Sequence, residues 1–115
     1  NGTTTAQCGA LFSSVITANT SSTLANHRKV DSTGWVPVNF NSISSGAPIG
    51  NLPVDPINNA TYYYAYAASS SLTFEIDAAR LESTKYTSGS NDVVSTDGGN
   101  NATAYEVGTA SGLSL

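Results

Sequence analysis

The sequence predicts an α+β domain: a short N-terminal helix packed on a small antiparallel sheet of three to four strands, with long loops. Three observations carry this reading. Two runs of strand composition, Tyr62–Ala67 (YYYAYA) and Leu72–Asp77 (LTFEID), are joined by a Ser-rich link, Ala68 to Ser71. Ahead of them, Cys8, Leu11, Phe12, Val15 and Ile16 recur on one stripe at helical spacing. Much of the remainder is Gly, Ser, Thr and Asn, the residues that build turns.

The hairpin comes first. Tyr is favoured on a pleated, half-buried surface, and Leu72–Asp77 alternates strictly with period two. A four-residue link suits two antiparallel strands, because a parallel crossover takes about a dozen residues. On this reading Leu72, Phe74, Ile76 and Ala78 form the buried face. Glu75 and Asp77 then occupy the solvated one, where neutralising them costs little stability. Tyr62, Tyr64 and Tyr66 share one strand face, and Tyr63, Ala65 and Ala67 share the other, where small side chains allow closer packing. The tyrosine face is read mainly as packing and also as a surface for a neighbouring subunit or partner.

The helix is expected over Ala6–Thr17, with Thr4 or Thr5 as its cap. Its stripe, Leu11, Phe12, Val15 and Ile16, is the expected subunit or partner contact. Cys8 lies on the same stripe and reads as a small buried hydrophobe. Ala18–Thr33 is polar and holds His27-Arg28-Lys29, read as solvated loop. Gly34-Trp35-Val36-Pro37-Val38-Asn39-Phe40 supplies core anchors, with Pro37 limiting any strand there to a sheet edge. After a long turn-rich loop over Thr87–Thr103, Tyr105-Glu106-Val107-Gly108 is the expected last strand.

The chain has 115 residues, enough for a single domain over 1–115, and carries a net charge of −4. It contains only four Lys and Arg residues in no basic patch, which argues against a nucleic-acid partner or an anionic membrane surface. One Cys excludes an intrachain disulfide, and one His with one Cys does not furnish a zinc site. His27 and Cys8 form no sequence-local catalytic pair. Glu75 and Asp77, about 7 Å apart along a strand, approach the carboxyl spacing of an inverting glycosidase, but alternate polar positions on a strand read first as surface. The expectation is a non-catalytic protein.

In order, GWVPVNF, a Ser/Gly loop, LPVDPINN, TYYYAYA, FEIDAARLESTKY and DGGNNATAYEVGT closely resemble the soluble head of bacterial type IV pilin-like proteins, the prepilin and major-pseudopilin group. Leu52-Pro53-Val54-Asp55-Pro56 followed by Asn58 looks like the LPxDP segment that leads into their sheet. The likeness runs from about Gly34 to Thr109. It implies a structural subunit of an extracellular type IV pilus-like filament or a periplasmic secretion pseudopilus, built from many copies of pilin. It also implies a long apolar N-terminal helix, the family's only membrane contact. The chain as given has no such helix, so the resemblance implies that one is removed or supplied by a separate pilin chain. Major pseudopilins carry calcium in the loop after the hairpin, and Asp92 and Asp97 fall in that region. Asn1, Asn19, Asn59 and Asn101 fit the glycosylation acceptor pattern. The alternative function is an extracellular adhesin-like or carbohydrate-binding β domain that uses the tyrosine face.

Overall fold

A computed structural model describes residues 25–115. Its regular core is a three-stranded antiparallel sheet in the order β1-β2-β3, with β1 at Tyr64–Ala68, β2 at Phe74–Ala78 and β3 at Tyr105–Gly108. Among the described residues the only helical structure is three single-turn 3₁₀ segments, at Phe40–Ser42, Thr84–Tyr86 and Gly89–Asn91. The α+β expectation is therefore corrected: the described chain is a small antiparallel sheet wrapped in loops. The helix expected over Ala6–Thr17, with Leu11, Phe12, Val15 and Ile16, lies outside the described residues, as does Cys8. At Gly34–Phe40, where Pro37 limits any strand to an edge, the pairing is one isolated bridge between Asp31 and Asn39. Pro37 has no N–H for a ladder, and Phe40 already turns into a 3₁₀ segment.

The hairpin forms as its composition requires, although the turn is longer than the sequence suggests. Ser69 and Thr73 close it, through Ser69 N–H to the Thr73 carbonyl at 2.9 Å and a 2.7 Å contact between their hydroxyls. Leu72 sits at the apex with φ +62° and 92 % of its surface exposed, so it belongs to the turn and not to the strand. Pairing places Tyr66 opposite Ile76 and Ala65 opposite Asp77. On the other side Ile76 faces Val107 and Asp77 faces Glu106.

The faces of β2 are the reverse of the expected ones, while on β1 the alanine face is the buried one. Tyr63, Ala65, Ala67, Glu75, Asp77 and Glu106 are buried, whereas Phe74, Tyr105 and Val107 are exposed and Tyr64, Tyr66 and Ile76 are half-buried. The period of two was legible; its phase was not. The inner face is covered by the chain that enters and leaves β3. Tyr63, Ala65, Ala67 and Ala104 pack there with Ala79 and Leu115. The small residues leave room for the acidic side chains beside them in the register.

A second core lies in the segment before the sheet, where Val30, Val36 and Leu52 are buried with Trp35, Phe40, Ala47 and Tyr66 against them. Leu52 N–H donates to the Arg28 carbonyl at 2.7 Å, and Phe40 N–H to that of Val30 at 2.8 Å. The Trp35 indole donates to the Pro53 carbonyl at 2.8 Å. Gly34 is required here, since a Cβ would strike the Lys29 carbonyl and the Leu52 side chain.

Candidate functional site

Three carboxylates meet on the inner face. Glu75 and Asp77 stand two apart on β2, and the antiparallel register brings Glu106 of β3 beside Asp77. Their fractional exposures are 0 %, 0 % and 1 %, and one oxygen from each lies within 4.8 Å of the others. Burial at this depth is rare for acids unless they are paired or bind a cation.

Backbone donors satisfy one oxygen of each glutamate. Leu115 N–H reaches Glu75 Oε2 at 2.9 Å, and Asn101 N–H reaches Glu106 Oε2 at 2.8 Å. Four buried oxygens remain without a donor: Glu75 Oε1, Glu106 Oε1 and both of Asp77. Asp77 is pushed up to about 8, first by burial and then by the charges of Glu75 and Glu106, with a side-chain contact to Glu75 and the charge of Asp97 adding to these. Burial also raises Glu106, joined by Asp97 and Glu75 and opposed by the backbone N–H groups of Asn100 and Asn101.

Asp97 positions this cluster. Its Oδ1 accepts from Gly99 N–H at 2.9 Å and its Oδ2 from Glu106 N–H at 2.8 Å, pinning the loop to β3. Gly99 lies directly against the Glu106 carboxylate, where a Cβ would collide with Oε2. An open cleft of about 540 Å³ borders Asp97, Gly98, Glu106 and Gly108.

Asp92, the other residue proposed for calcium, is elsewhere engaged. Its Oδ1 accepts from Val94 and Ser95 N–H at 3.0 and 3.1 Å, and its Oδ2 from the Ser95 hydroxyl at 2.7 Å. Those bonds to Ser95 and Val94 hold its carboxyl below the ordinary range. Asp92 is a turn cap, and the structure does not bring it into the carboxylate cluster. Glu75 and Asp77 were read as solvated, and that reading is overturned by their full burial. The signal that could have found the cluster was the third acid at the matching position of the last strand, Glu106, beside the DGG turn.

The opposite face is apolar. A concavity of about 930 Å³ is lined by Trp35, Phe40, Ile49, Tyr64, Tyr66, Phe74, Ile76, Tyr105 and Val107 among others. Trp35 and Tyr64 meet there with ring centroids 6.3 Å apart at 50°. Tyr64 and Tyr66 share this face as the alternation required, whereas Tyr62 precedes β1. Asp55 of the LPVDP segment is buried, and its Oδ1 accepts from Ile57 and Asn58 N–H at 2.9 and 3.1 Å. The motif is thus a structural turn that delivers the chain to β1.

No protein-family model, curated protein or solved structure matches the chain. The geometry itself defines a class: a three-stranded domain with acids buried on one sheet face and an open aromatic groove on the other.

Proposed function

We propose that this chain is a non-catalytic structural subunit, the head of an extracellular pilin-like or pseudopilin-like filament, and that its aromatic groove is the contact made on assembly. The observation that carries the reading is the apolar sheet face. Among the described residues it is open, with Phe74, Tyr105 and Val107 at 37 %, 36 % and 42 % exposure. Contiguous exposed aromatics and aliphatics mark interaction surfaces, and one apolar face of a small sheet needs covering. The partner this surface suits is an apolar segment of a neighbouring pilin-type chain. The order of motifs from Gly34 to Thr109 supports the same reading.

The test is electron microscopy of the chain joined to a prepilin-type apolar helix, with and without Phe74→Asp or Val107→Asp. The expected result is filaments from the parent and none from either variant, with melting temperatures within a few degrees of the parent because both side chains are exposed. Filaments unchanged in both variants would remove the groove from assembly.

The Trp35–Tyr64 pair gives a second reading, an aromatic platform for a carbohydrate. Its charged neighbours are few, Asp55, Arg80 and Glu82. Asp55 already spends an oxygen on the backbone. Sugar recognition requires well-placed polar groups, so the apolar partner is favoured.

A further inference from the structure

We propose that Glu75, Asp77 and Glu106 form a calcium-binding site on the buried face of the sheet. Proximity of acids alone would not carry this. The additional observation is that Asp77, fully buried, has no donor on either oxygen and places one of them within 4.8 Å of an oxygen from each glutamate, each of which also has one oxygen without a donor. Each orphaned oxygen represents a desolvation cost that a native structure normally offsets.

Among the described residues no side-chain cation supplies the offset. The groups acting most strongly on Asp77 are other carboxylates, Glu75, Glu106 and Asp97. Residues 1–24 contain no Lys, Arg or His, so that segment brings none. Backbone N–H groups also hold one oxygen of each glutamate and leave the other without a donor. Such outer-shell support orients ligands toward a metal.

The donor set selects the ion. All ligands are carboxylate oxygens, with no imidazole or thiolate, which suits a hard cation. Oxygens up to 4.8 Å apart are spanned by Ca²⁺, whose ligands stand about 2.3–2.6 Å from the ion, more readily than by Mg²⁺ at about 2.0–2.1 Å. The four oxygens without donors supply part of the six to eight that Ca²⁺ takes. The nearest open cleft borders Asp97 and Glu106.

The experiment titrates CaCl₂ into the purified 115-residue chain, stripped with chelator, at pH 7.5. Calorimetry reports binding, and melting curves report stability. The expected result is one saturable site and a melting temperature about 10 °C higher when calcium exceeds Kd a hundredfold. Asp77→Asn and Glu106→Gln should weaken binding at least about tenfold and remove most of that rise, while both variants stay folded because each replaces a buried acid by an uncharged amide of nearly the same shape. Asp92→Asn should bind as the parent does. The proposal is overturned if millimolar calcium leaves the parent's melting curve unchanged, which would mean that the acids merely share protons. It is equally overturned if the rise survives Asp77→Asn, or if Asp92→Asn alone removes it and places the ion in the loop.

Discussion

Stripped of divalent cations, the protein is expected to lose stability as pH rises from about 4 to about 8, the opposite of an ordinary acid-denaturation profile. The reason is Asp77. In the folded chain its carboxyl is held near 8 by burial and by Glu75, Glu106 and Asp97, whereas in the unfolded chain it ionises near 4. Between those values the native state holds a proton that the unfolded state has released. Stability then falls with every step in pH, is fully present below the unfolded value, and is lost by the folded one. The raised carboxyl of Glu106 acts in the same direction. Asp77→Asn should flatten the profile and stabilise the cation-free protein at pH 8 by more than about 1 kcal/mol. The amide carries no charge and brings two N–H donors next to glutamate oxygens that lack one. Urea denaturation in chelator from pH 5 to pH 8 measures it. A parent whose midpoint stays level or rises across that range would contradict the assignment of a buried, proton-holding Asp77.

The second large effect is expected at Leu52. Its side chain is 2 % exposed and joins Val30 and Val36 beneath Trp35, Phe40 and Tyr66. Leu52→Ala removes that contact and leaves a cavity, at a cost of about 3 kcal/mol. For a domain of this size that is a large fraction of total stability. The loss should appear as a lowered denaturation midpoint with an unchanged m-value, and a shift below about 1 kcal/mol would mean that this small cluster does not hold the N-terminal loops. Leu52 also lines the aromatic groove, so the variant should weaken assembly through folding, unlike Phe74→Asp.

These two residues show what was legible. The hairpin, its antiparallel pairing and the third strand at Tyr105 follow from period-two patterning and turn residues alone. The direction of the faces did not follow, because alternation fixes which residues share a face and not which face is covered. Here the covering comes from Ala104 and Leu115, far along the chain from β2. Glu75 and Asp77 therefore read as surface until Glu106 is seen beside them. Asp97 was picked out for its oxygen chemistry, and it does touch the cluster, through the backbone of Glu106. Asp92 had the same composition signal and proved to be an Asx-type cap. Local sequence does not separate a turn cap from a ligand, since both place a carboxylate among Gly, Ser and Asn. The LPVDP segment is a similar case, a motif whose acid serves its own backbone.

The excursion from Ala79 to Ala104 has a consequence for how the chain reaches its fold. β1 and β2 are joined by a link closed between Ser69 and Thr73, and such hairpins form in about 1–10 μs. β3 arrives only after a loop of about 26 residues closes, which costs about 1.5 kcal/mol more chain entropy than the short turn. The hairpin is therefore the early unit and β3 the late one. Glu106 meets Glu75 and Asp77 at that late step, so the repulsion among the three acids opposes the docking of β3 and leaves the hairpin untouched. Stopped-flow refolding at pH 7.5 in chelator should accordingly quicken in Glu106→Gln, and an unchanged refolding rate would place β3 docking after the barrier. Millimolar calcium should quicken the parent in the same way, an ion acting as a folding catalyst for one strand.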